Sequence, residues 1–142
     1  MRIIYPKPDG GVAIVIPTDE FLQDHTIEDL AARVVPLGVA HEIVDTVPTD
    51  RTFRDAWVKD GKTIKVHLDK AKLIAHDRRR AARAEEFAPH DEVIAKQIPG
   101  KSAQAAEAER AKIRVKYDLM QTAIDAAKTP DEIKAALGVS HD

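Results

Sequence analysis

Six His residues are the first candidates for chemistry in this chain of 142 residues: His25, His41, His67, His76, His90 and His141. A metal site built on a helix needs ligands three or four residues apart, or a Cys/His grouping. No two of these His have that spacing; His67 and His76, the nearest pair, are nine apart. The spacing reads as ordinary polar His, not as ligands. Cys is absent, which rules out disulfides, thiol catalysis and Cys-based zinc sites. It also fits a cytosolic origin, or assembly in the cytosol. A nucleophilic mechanism needs Ser, Thr or Cys beside a base and an oxyanion site. Only two Ser are present, Ser102 and Ser140. Ser102 stands where a helix cap is required, Ser140 falls in an expected frayed tail from Val139 to Asp142, and no GxSxG occurs. Gly10-Gly11 has no helix start and no Lys-Ser/Thr after it, so it reads as a hairpin turn rather than a phosphate loop. No catalytic residue, metal or cofactor is expected, and the chain is read as a non-enzyme.

The remaining cluster is cationic: Arg78-Arg79-Arg80 with Arg83. Such a cluster can bind phosphates. Here Asp77, Glu85 and Glu86 lie close by, and no aromatic residues interleave. Arg80 is three residues from Asp77, and Arg83 three from Glu86, the spacing of neighbours on a helix. A solvated or protein-facing Arg face is the stronger reading and nucleic-acid contact the weaker. Docking onto the acidic first half of another copy is a further possibility.

That acidity is a matter of position. The formal net charge is -2 overall. Residues 1–60 carry six Lys and Arg against eleven Asp and Glu, net -5, while residues 61–142 carry sixteen against thirteen, net +3. The near-neutral total gives no reason to expect nucleic acid or an anionic membrane. No apolar run approaches the ~18 residues of a membrane span, and Met1-Arg2-Ile3-Ile4-Tyr5-Pro6 does not read as a signal peptide. A hydrophobic content of 44% is that of a globular chain.

The elements expected to position these residues fall into two parts. Ile3-Ile4-Tyr5 and Val12–Ile16 flank Pro8-Asp9-Gly10-Gly11 and predict a hairpin. Thr18 is placed to cap a short helix through Asp24. Thr26 with Asp29 makes a capping box for a second helix, whose apolar face is Ile27, Leu30, Ala31 and Val34. His41–Val44 reads as a short strand. Asp60-Gly61 predicts a second hairpin turn, followed by a strand of Thr63, Ile64 and Val66. Helices are expected over about 69–87, 90–98, 102–128 and 130–137, with Pro89 as a break and Pro99-Gly100 as a turn. The first helix shows a stripe of Ala71, Ile74, Ala75, Ala81 and Ala82, interrupted by Arg78. In the third, Ala106, Arg110, Ile113, Tyr117, Met120, Ile124 and Ala127 form a heptad-like seam. It can pack within one chain or between copies. The fold class is α+β: a small β-hairpin-containing N-terminal unit, residues 1–66, then a helical region, residues 67–142, made of a long helical hairpin and a short C-terminal helix.

Between the two lies Asp50-Arg51-Thr52-Phe53-Arg54-Asp55-Ala56-Trp57, holding the only Trp. Asp50 can cap the following backbone. Phe53 and Trp57 share a face if the stretch is one helical turn, with Arg51 and Arg54 outward or paired with Asp50 and Asp55. They then form a structural plug or, alternatively, an exposed anchor for a partner. The octapeptide resembles a DRTFRxAW signature of small proteins encoded in tailed bacteriophages and prophages, beside tail or tail-fibre genes. The similarity extends to the Ile3-Ile4-Tyr5 strand, the Asp77–Ala84 Arg/Ala-rich helix and the Thr129–Ile133 helix start, and departs over 89–116. It implies a virion structural protein, tail or tail-fibre-associated, made and assembled in the bacterial host cytoplasm. The partners it implies are other virion proteins (tail, tail fibre or connector) and further copies of the chain; no membrane is expected, and nucleic acid is the weakest candidate. A tail or tail-fibre assembly chaperone is the alternative, and a small nucleic-acid-binding accessory protein a third reading. The candidate partner-binding residues are Arg51, Phe53, Arg54, Trp57, Arg78, Arg79 and Arg83.

Overall fold

A computed structural model describes residues 1–138; the tail expected at Val139–Asp142 lies outside the described residues. The chain forms two units, Met1–His67 and Leu68–Asp142, and its fold is α+β.

The first unit is organised by one doubly buried strand. Strand β1, Arg2–Pro6, pairs antiparallel with β2, Val12–Val15, and with β3, Glu42–Val44, giving the order β2-β1-β3. Successive strand residues face opposite sides of a sheet, yet Ile3 and Ile4 are both fully buried. Ile3 packs against Ile27 and Ala31 of helix α2, Ile27–Val34. Ile4 packs on the other side against Val12 and Trp57. The capping box of α2 is present: Thr26 Oγ1 accepts from the Asp29 amide at 3.1 Å, and Asp29 Oδ2 accepts from the Thr26 amide at 2.9 Å. Those bonds hold the Asp29 carboxyl below its ordinary pKa. Helix α1, Asp19–Asp24, is capped by Thr18 and contributes no buried residue. Ile16, expected to end β2, stands beyond it and is exposed.

Strands β4, Trp57–Asp60, and β5, Thr63–Val66, form a separate antiparallel pair. Asp60 pairs with Thr63, so the two loop residues are Gly61 and Lys62 rather than Asp60 and Gly61. Gly61 takes φ 58°, a left-handed conformation that costs Gly little.

The second unit contains α3, Leu68–Lys96, α4, Ala103–Ala126, and α5, Pro130–Leu137. Pairing of Lys72 with Asp125, Glu86 with Lys116 and Asp91 with Arg110 runs in opposite chain directions, so α3 and α4 are antiparallel. The expected division into helices over 69–87 and 90–98 is corrected: one helix runs through Pro89. Pro lacks the amide hydrogen that would bond the carbonyl four residues back. The helix continues with α4 packed along it on both sides of that defect: Phe87 is buried just before Pro89, Glu86 pairs with Lys116 at 2.7 Å, and Asp91 with Arg110 at 2.8 Å beyond it. It stops at Gln97, which takes φ 49°, leaving Ile98 outside. Helix α4 stops at Ala126, two residues short of the expected Lys128.

The seam predicted on α4 is its inner face. Ala106, Tyr117, Ile124 and Ala127 are buried, with Arg110, Ile113 and Met120 half-buried between them. On α3 the stripe is corrected. The buried residues are Ala71, Ala75, Arg79 and Phe87, and Ala81 and Arg78 are exposed. Arg79, not Arg78, is the charged residue that interrupts the apolar face. No helix among the described residues is long and apolar enough to cross a membrane.

Candidate functional site

The residues singled out in the sequence fall in different units and are taken in turn. In the first unit Asp50 Oδ1 accepts from the Thr52 amide at 3.0 Å and from Thr52 Oγ1 at 2.6 Å, the side-chain turn expected of Asp. The chain then tightens into a 3-10 turn, Arg54–Ala56, with the Ala56 amide bonded to the Phe53 carbonyl. Trp57 leaves this turn as the first residue of β4. Phe53 and Trp57 are therefore not on one α-helical turn, but both are buried. Trp57 belongs to the core with Ile4 and Val12, flanked by Ile14, Val44, Val47, Ile64 and Val66. This is the plug arrangement.

Arg54 covers the plug. Its guanidinium lies 4.6 Å from the Trp57 ring centroid and donates to the Val12 carbonyl at 3.3 Å. A cation over an indole face is a favourable electrostatic contact. Arg51 is exposed. Of the four signature residues named as partner-binding, Phe53 and Trp57 are interior, Arg54 is half-buried over Trp57, and Arg51 is at the surface.

In the second unit Arg78 is exposed, Arg79 is 7% exposed and Arg83 is half-buried. Arg80 pairs with Asp77 at 2.9 Å, as its spacing implied. The suggested Arg83–Glu86 pair gives way to others. Glu86 bonds Lys116 of α4 at 2.7 Å, and the Arg83 guanidinium lies 4.7 Å from the Phe87 ring centroid. Arg110 approaches the same ring at 5.4 Å. Its Nε is 2.8 Å from Asp91 Oδ1 as an ion contact, but makes no aligned hydrogen bond. Arg79, Arg80, Arg83, Phe87, Asp91 and Asp118 line an open groove of about 630 Å³.

Residues outside the sequence-derived set order this groove. His76 Nε2 is 2.7 Å from Asp125 Oδ1, and His76 Nδ1 accepts from Arg79 Nε at 3.3 Å. A neutral imidazole with its proton on Nε2 satisfies both contacts. Lys72 Nζ donates to the Asp125 carbonyl at 3.0 Å. One signal in the sequence pointed here: a step of four from Ala71 reaches Ala75, Arg79, Arg83 and Phe87. That ladder places Arg79 on the inner face, whereas counting apolar residues alone passes over it.

Among the described residues no three His, Cys, Asp or Glu side chains gather as metal ligands. His25 stacks on Phe21 with ring centroids 4.5 Å apart.

The α3–α4 pairs make an acid-sensitive fastening. Hydrogen bonding to Lys116 holds the Glu86 carboxyl below its ordinary 4.5. Bonds from Arg114 and Arg110 do the same for Glu107 within α4. A carboxyl with a depressed folded-state pKa contributes stability above its unfolded value, and this is lost as pH falls through the folded value. Helical content is therefore expected to hold above about pH 4.5 and to weaken below it. Circular dichroism across an acid titration checks this. The double variant Glu86→Gln/Glu107→Gln should show a flatter decline over that window, and an unchanged profile would count against the assignment. Both carboxylates face solvent, so salt should blunt the effect.

No family model, curated protein or solved structure matches the chain.

Proposed function

We propose that this chain is a non-enzymatic bacteriophage virion structural protein, tail or tail-fibre-associated, that works by docking to other virion proteins and to copies of itself. The observation that carries the reading is the division of labour in the fold. The signature side chains Phe53 and Trp57 are spent on the interior, while large apolar side chains elsewhere face solvent. Val115 and Leu119, one turn apart on α4, are both exposed, as are Leu73 on α3 and Ile16 and Leu37 in the first unit. Adjacent exposed apolar residues on an ordered helix favour a protein partner. The resemblance of Asp50–Trp57 to the phage signature supplies the setting.

Immunogold labelling of particles made by the phage or prophage that encodes the chain tests this. Label is expected at the tail or the fibre attachment. Label confined to the capsid would contradict the tail assignment. Absence from particles, with the protein bound to tail or fibre protein in lysate, would favour the assembly chaperone.

A further inference from the structure

The groove of the helical unit is lined by a buried cation that no carboxylate touches directly; Asp125 reaches it only through His76. Arg79 is more than nine-tenths buried, and its one hydrogen bond among the described residues runs from Nε to the neutral nitrogen of His76. Buried guanidinium groups are ordinarily matched by a carboxylate. Arg83, one turn further along α3, opens onto the same groove. Its guanidinium lies over the Phe87 ring, and no ion pair joins it to a carboxylate among the described residues. Arg80 is already paired with Asp77, and Asp91 with Arg110. The lining holds three guanidiniums and two carboxylates, and with those two pairs set aside it leaves Arg79 and Arg83 against Asp118. That surplus of one positive charge suits a single carboxylate with an apolar stem to lie along Phe87. It is a poorer match for a doubly charged phosphate, which would leave the groove net negative.

The chain itself carries the complementary group. Its first 60 residues have a net charge of -5. Within them α1 has no buried residue and presents Asp19, Glu20 and Asp24 beside the exposed Leu22. A helix with no buried residue and acidic along its length has a charged face open to a cationic partner.

We propose that the Arg79–Arg83 groove receives a carboxylate of α1 from a second copy, joining copies head to tail. Such a contact uses two different surfaces, so it closes into a ring or extends as a filament. The proposal rests on the self-association in the reading above, but it concerns the contact and not the particle.

The test is sedimentation velocity of the full chain over a range of concentrations. The wild-type chain should form oligomers. Arg83→Glu, and separately Glu20→Lys/Asp24→Lys, should each weaken association ~10-fold or more. Mixing these two variants should restore it, because the reversed groove of one then meets the reversed helix of the other. Arg79→Met, which keeps the side-chain volume, should also dissociate, but its burial makes Arg83→Glu the cleaner variant. A wild-type chain that stays monomeric, a variant that sediments like wild type, or a mixture that stays dissociated overturns the proposal. So does inorganic phosphate binding that Arg83→Glu abolishes without altering sedimentation, since the groove would then serve a small oxyanion. A chain missing from virions that nevertheless passes this test separates the two claims.

Discussion

Replacing Trp57 with Ala is expected to destabilise the first unit by about 3–5 kcal/mol, the usual cost of deleting a large buried aromatic side chain. Trp57 is 1% exposed and is the largest of the fully buried side chains. It packs with Ile4 and Val12 and against Ile64 and Val66, so its removal leaves a cavity within that core. Its loss also strips Arg54 of the ring it covers. The unit is small, and a penalty of this size is comparable with the whole stability of many such domains. Two-dimensional NMR should show the dispersed signals of residues 1–67 collapsing while those of α3–α5 persist, because the helices form a compact unit of their own. Trp57→Phe should recover part of the loss. Retention of a wild-type denaturation midpoint by Trp57→Ala would mean that the signature is not the plug described here.

Pro89→Ala is expected to act in the other direction, stabilising the helical unit by up to about 3 kcal/mol. Pro89 lies inside α3 and is exposed, so Ala removes little buried surface. It restores the missing amide donor for the Glu85 carbonyl and relieves the clash of the ring with the preceding turn. Urea denaturation followed at 222 nm measures the change. A variant less stable than wild type would show that the ring makes a contact worth more than the helical bond it sacrifices.

Both expectations depend on features that differ in how well the sequence announced them. Local chemistry was plain. The hairpin around Asp9-Gly10-Gly11, the Thr26–Asp29 capping box and the Thr129-Pro130 helix start each rest on a few adjacent residues, and the structure has all of them. The α4 seam was legible for a related reason: seven residues in register outweigh one misplaced charge, and Arg110 does not disturb it. The continuity of α3 was not legible. A Pro in sequence signals a break, and the packing of α4 along both sides of it becomes visible only in the folded helical hairpin. The burial of Arg79 was hidden in the same way. In a run of three Arg, composition cannot say which one faces inward; the four-residue ladder through Phe87 can.

The groove was legible only in part. Arg79 and Arg83 were named from the charge cluster, but Asp118 and Asp125 come from α4, about forty residues further along the chain. Their approach depends on the helical hairpin. In the first unit, the same dependence on tertiary packing decided between plug and exposed anchor. Aromatic content alone allowed either, and the second face of β1, open at Ile4, takes Trp57 into the interior.

The two units suit assembly in complementary ways. The first unit spends its aromatic signature on its own core and keeps acidic groups outside. The second holds a cationic groove and an exposed apolar pair on α4. Both offer surface to a neighbour.

The measurement that bears most directly on the structural role is mass spectrometry of purified virions, with this chain quantified against the major capsid protein. The account predicts that it is present at a fixed whole-number copy per particle, about six or twelve if the assembly is a cyclic ring. Its absence from clean particles, while it is abundant in the lysate that produced them, would contradict the account.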